Sequence, residues 1–133
     1  MVEEVVVIES LSPKMIEAGE ELVRLLDQIH FDVRAALWLY VSEVGTWRLI
    51  IASPDVKRGG PRKTYKKVQS VLSKMQDRPR VGLENISVVD SHDPLVSLLR
   101  TALKTGPHIS GIRFSRNTIN GHFIEDAYIY RLA

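Results

Sequence analysis

Asn120-Gly121 lies between two runs of strand-like residues. That dipeptide is the strongest short-range signal for a two-residue type I′ hairpin, whose two central residues both need positive φ. Taking it as the loop assigns a partner to every residue on either side. One face then shows Ile112 opposite Ile129, Phe114 opposite Ala127, Arg116 opposite Glu125 and Thr118 opposite Phe123. Each of these pairs is sensible cross-strand chemistry. The other face shows Arg113 opposite Tyr128, Ser115 opposite Asp126 and Ile119 opposite His122, with Tyr130 extending it. This second face is mostly polar and is expected to meet water or a ligand.

Upstream, Ala35 to Ser42 and Thr46 to Ser53 form a second hairpin, with Gly45 as its turn residue. Pairing Val41 with Arg48 puts Leu37, Leu39, Ile50 and Ala52 on one face and Trp38, Tyr40, Leu49 and Ile51 on the other. Both faces are apolar, so both need covering, by helices or by a second subunit. Three helical periodicities supply candidates. The first runs from Pro13 to His30 behind a Ser12 cap, with Met15, Ile16, Gly19, Leu22, Val23, Leu26 and Ile29 inward and Glu17, Glu20, Glu21, Arg24 and Asp27 toward water. The second opens at Gly59-Gly60-Pro61, carries Tyr65, Val68, Leu72 and Met75, and stops at Arg78-Pro79. The third follows Asp93-Pro94, carries Leu95, Leu98, Leu99, Ala102 and Leu103, and ends at Gly106-Pro107. Val5 to Ile8 reads as an edge strand and Asn85 to Asp90 as a short one. The predicted order is β-α-β-β-α-β-α-β-β. This is an α+β fold with a single mixed sheet of five or six strands and three helices on at least one face. The helices between the third, fourth and fifth strands imply parallel pairing there.

A length of 133 residues, with 44% apolar and 26% charged, suits one domain spanning 1–133. There is no cysteine, which removes disulfides and cysteine-ligated metals and suits a reducing, cytoplasmic compartment. No apolar run approaches the length of a membrane span, and Val5 to Ile8 is too short for a signal sequence. The stretch TGPHISGIRFSRNTINGHFIEDAYIYRL at the C-terminal hairpin, with ALWLY near Leu37 and LIIASP near Leu49, resembles a group of short bacterial proteins of no assigned function. The resemblance covers most of the chain. It implies a bacterial, cytoplasmic, single-domain protein, and brings no activity, cofactor or catalytic residue.

Charge is the feature that points toward function. Lys57 to Arg80 hold nine of the 18 Lys and Arg residues and one acid, Asp77, a net +8, whereas the remaining residues carry nine basic and 15 acidic groups. Lys57, Arg58, Gly59, Gly60, Arg62 and Lys63, followed by Lys66 and Lys67, place charge and flexible backbone at a strand end and helix start, where a phosphate is favoured. The G-x-x-x-x-G-K-[ST] spacing of a P-loop is absent. The plainer reading is a solvated basic face, or one that packs on the acidic first helix or on a partner. Asp90, His92 and Asp93 are weak metal-ligand candidates of the kind a small metal-dependent phosphodiesterase would use, and Asp93 has a simpler role as a helix cap. Arg113, Ser115, Asp126, Tyr128 and Tyr130 form a secondary surface on which bases could stack, or an ordinary exposed sheet face. The four histidines show no metal-ligand spacing, and no nucleophile signature surrounds Ser110 or Ser115. The expectation is a non-enzymatic module without a cofactor that contacts nucleic acid or another polyanion. The alternatives are a homodimeric or partner-docking assembly protein and the phosphodiesterase.

Overall fold

The computed structural model describes residues 10–75 and 81–133; Val5–Ile8 and the Arg78-Pro79 stop lie outside them. Among the described residues four α-helices and five strands follow in the order α1 (Pro13–Gln28), β1 (Ala35–Val41), β2 (Thr46–Ala52), α2 (Asp55–Gly59), α3 (Pro61–Ser73), β3 (Ile86–Val89), α4 (Pro94–Ala102), β4 (Ile112–Ile119) and β5 (His122–Leu132). The class is the expected one, α+β on one mixed sheet. The extra helix is α2, a single turn formed where a Lys57–Gly60 loop was expected, and Gly60, at φ 85°, makes the break between α2 and α3.

The strands lie in the order β3-β2-β1-β5-β4. The β2–β3 pair is parallel and the other three pairs are antiparallel. The expected parallel pairing of Asn85–Asp90 with the first strand of the C-terminal hairpin is absent, because β3 and β4 are the two opposite edges. β5 takes the place beside β1, and its eleven residues are long enough to pair with β1 on one side and β4 on the other.

Both faces of the central strands are apolar, and helices of the same chain cover both. On one face α1 and α3 bury Trp38, Leu49, Ile51, Val88 and Tyr130. On the other, α4 packs Val96 and Leu99 against Leu37, Ile50, Ala127 and Ile129. The β1–β2 register is Leu39 opposite Arg48 and Val41 opposite Thr46, two residues away from the expected pairing. Side chains alternate with period two, so a shift of two leaves every residue on the face assigned to it. Gly45 is the turn residue, at φ 68°. Ser12 accepts from Met15 N at 3.2 Å, and Asp93 accepts from Leu95 N and Val96 N at 3.0 and 3.3 Å, so the caps of α1 and α4 are as expected.

The C-terminal hairpin has the expected register, and Asn120 and Gly121 have φ of 48° and 81° as a type I′ turn requires. One pair is missing from the ladder. Arg116 stands at φ 49° and does not pair with Glu125. Beyond this kink the tip turns over. Ile119 and Ile124, which strict alternation places with Ser115 and Asp126, are buried with Ala127 and Ile129 instead. A second irregularity lies where β5 meets β1. Ala36 pairs with Arg131 and Leu37 with Ile129, which leaves Tyr130 as an extra residue. This bulge turns two neighbours, Tyr130 and Arg131, toward α1. The Tyr130 hydroxyl donates to Ile16 O at 2.6 Å and accepts from Trp38 Nε1 at 3.1 Å. Arg131 donates to both carboxylate oxygens of Asp27 at 3.0 and 2.8 Å and to Val33 O at 3.1 Å. Tyr130 is therefore a core residue, and the expectation that it extends the exposed polar face is corrected. Asp27 is partly open to water, as expected, and also holds a buried arginine.

Candidate functional site: a basic helix and a cationic cleft

Parallel pairing of β2 with β3 brings their carboxyl ends together. Ala52 pairs with Val89, and Ser53 N donates to Val89 O at 3.0 Å. The segment leading into α2 and the Asp90–Asp93 turn therefore lie side by side, as the parallel arrangement predicts. Lys57 Nζ reaches Asp90 Oδ2 at 3.6 Å. The same carboxylate oxygen accepts from His92 N at 2.9 Å. That backbone donor, helped by the Lys57 charge, holds the Asp90 carboxyl below its ordinary range. Asp93 is committed to capping α4. Among the described residues no group of three or more His, Cys, Asp or Glu side chains is placed to hold a metal ion. The structure thus brings Asp90 to the basic segment as an ion-pair partner and gives Asp93 a different task.

The basic residues divide into two groups. In α2, Lys57 pairs with Asp90, and Arg58 Nη1 lies 3.5 Å from Asp55 Oδ1. In and just beyond α3, Arg62, Lys63, Lys66, Lys67 and Lys74 are exposed, and none forms an ion pair among the described residues. The buried stripe of α3 is Thr64, Val68, Val71 and Leu72, followed by Met75, so amphipathicity alone turns the charged side outward. Helices α1 and α3 pack side by side on the same face of the sheet. Among the described residues no acid of α1 forms an ion pair with α3: Glu20 and Glu21 bind Arg24 of their own helix, and Asp27 binds Arg131. No side chain caps the start of α3, where the Lys63 stem lies over Gly59 and lines a small cavity with Arg58, Thr64 and Lys67.

Beside this helix is a cleft of about 500 Å³ lined by Arg34, Arg58, His92, Arg100 and Lys104, with Pro54 and Leu132 as its apolar wall. Arg100 donates to Ser91 O at 2.6 Å and to Ala133 O at 3.0 Å, which fixes the plane of its guanidinium. Arg34 is fixed by Asp32 at 2.7 and 3.2 Å. The Arg34 hydrogen bond holds the Asp32 carboxyl below its ordinary range, with the Arg58 charge adding to the effect. Arg34 lies far in the chain from Arg100 and Lys104, and a linear count of charge does not single them out. The four-residue spacing of Arg100 and Lys104, off the apolar stripe of the third helix, was the available signal.

The C-terminal hairpin surface is at the other end of the sheet. Its cleft is lined by Tyr40, Trp47, Arg113, Ser115 and Asp126, whereas the basic cleft gathers around the Ala35 end of β1, roughly 20 Å away along the strand. Arg113 Nε donates to Asp126 Oδ1 at 2.6 Å, Ser115 Oγ donates to the same oxygen at 2.7 Å, and the guanidinium lies 5.5 Å from the Trp47 ring centre. Tyr128 is half-buried and packs edge-on to Tyr130. The Arg113 hydrogen bond holds the Asp126 carboxyl below its ordinary range, with Ser115 contributing. Such a carboxyl stabilises the fold above its unfolded-state pKa, and the contribution is lost as pH falls through the lower folded-state value. Asp126→Asn is therefore expected to flatten the acid limb of the stability curve below about pH 4. The effect is at most about 1 kcal/mol because the pair is partly open to water. Superimposable acid limbs for wild type and variant would contradict this.

No protein-family model matches the chain, and no curated protein or solved structure is similar to it. Among the described residues no helix is long and apolar enough to cross a membrane.

Proposed function

We propose that the protein is a nucleic-acid-binding module that grips a phosphodiester backbone with the exposed side of α3. The observation that carries this reading is the row Arg62, Lys63, Lys66, Lys67 and Lys74, all exposed and without a carboxylate partner among the described residues. Like charges held along one helix repel one another in the free protein. Phosphates relieve that repulsion, and their condensed counterions are released on binding. A backbone-only grip reads charge spacing and not sequence, which fits a helix whose outer side carries no aromatic residue.

Fluorescence anisotropy with labelled single-stranded and duplex oligonucleotides tests the reading across roughly 50–200 mM salt. Four phosphate contacts give a slope of log K against log salt of about −3 on a single strand. Arg62→Ala/Lys63→Ala/Lys66→Ala/Lys67→Ala is expected to weaken binding by more than about tenfold and to flatten that slope. Absence of binding at the lowest salt, or equal binding by this variant, overturns the proposal.

A further inference from the structure

We propose that the cleft formed by Arg34, Arg58, Arg100 and Lys104 binds a phosphate monoester. It is a second site, distinct from the outer side of α3 and different in chemistry. The α3 cations are spread along a ridge, which suits a chain of singly charged diesters. In the cleft, four cations from three places in the chain line about 500 Å³, and no Asp or Glu side chain lines it. A monoester carries close to two negative charges at neutral pH and three strong acceptor oxygens, so it gains from convergent donors where a diester gains from spaced ones.

The donors are positioned before any ligand arrives. Arg100 spends its Nε and one Nη1 hydrogen on Ala133 O and Ser91 O, which fixes the guanidinium plane and leaves its other N–H groups available. Arg34 is locked by Asp32, and Arg58 leans on Asp55. Those two acids line the neighbouring cavity and not the cleft, so they position the arginines while neutralising only part of the local charge. Lys104 forms no ion pair among the described residues. Arg58 also lines the small cavity with Lys63 and Lys67, which places the cleft next to the start of the α3 ridge. The monoester therefore has two possible sources of the same chemistry: the terminal phosphate of a strand lying on α3, or a free small phosphate ester.

Isothermal titration of the whole protein with AMP, adenosine and inorganic phosphate tests the site without reference to α3. AMP is expected to bind about tenfold or more tightly than adenosine, with inorganic phosphate competing. Lys104→Ala, an exposed residue, and Arg100→Gln should each remove most of that preference. The quadruple α3 variant should keep it, which separates this site from the ridge. A 5′-phosphorylated oligonucleotide binding about tenfold better than its 5′-hydroxyl form assigns the source to a strand end. AMP binding with no such difference assigns it to a free ester. Equal affinity for AMP and adenosine, or a preference unchanged in both cleft variants, overturns the proposal, and neither result touches the reading of α3.

Discussion

Gly19→Ala is expected to destabilise the protein by about 3 kcal/mol, against the usual direction for a helix. In an exposed helix interior the same change stabilises by about 1 kcal/mol. Gly19 lies in the middle of α1 and is buried. A Cβ there falls 2.4 Å from Tyr130 Oη and 2.8 Å from Trp38 Nε1. Neither neighbour has room to give. Trp38 and Tyr130 are both 1% exposed, and the phenol is tied to Ile16 O and the indole to Met15 O. The added methyl must lift α1 off the sheet or break the phenol's hydrogen bonds. Urea unfolding of Gly19→Ala, Tyr130→Phe and the double variant separates these costs. Tyr130→Phe deletes the nearest atom, so the double variant should be more stable than the sum of the single losses implies. Strict additivity, or a neutral Gly19→Ala, would contradict the close approach.

Asp27→Ala carries the other large effect, a loss of about 2–4 kcal/mol. Arg131 is 6% exposed at its side chain, and its Nε has no hydrogen-bond partner, so its charge depends on Asp27 and Val33 O. Removing the carboxylate strands a buried guanidinium. Asp27 is 39% exposed, and water replaces part of the lost interaction, which keeps the cost below that of a fully enclosed pair. Arg131→Met leaves a carboxylate near water and should cost less. The double variant should recover part of the loss from Asp27→Ala. Denaturant midpoints of the three variants decide the matter, and equal, additive losses would show that the pair is not coupled.

The local features of the fold and the parallel pairing of β2 with β3 were legible in the chain, and the other long-range pairings were not. Asn120-Gly121 announced a hairpin because a type I′ turn is demanding about its residues, and Ser12 and Asp93 announced helix starts for the same reason. The turning-over of the hairpin tip was hidden. Arginine has no preference for the left-handed region, and the kink at Arg116 follows from the tip packing Ile119 and Ile124 on the core beside α4. Tyr130 was misplaced by strict alternation because a bulge shows only in the pairing with β1, a strand some ninety residues earlier in the chain. At the candidate site, the α3 ridge was readable because its cations are close in sequence. The cleft was not, because its four cations meet only after the sheet is assembled.

The kink at Arg116 has a further consequence at the rim of the sheet. Among the described residues the five-stranded sheet has two rims, β3 and β4, and a long straight rim invites a strand from another molecule. On β4 the straight part ends at Ser115, where the left-handed Arg116 interrupts it. On β3 the rim is four residues long, and Tyr65 Oη of α3 accepts from Val88 N at 3.0 Å. Neither rim offers an incoming chain a run long enough to seed a continuous cross-β stack.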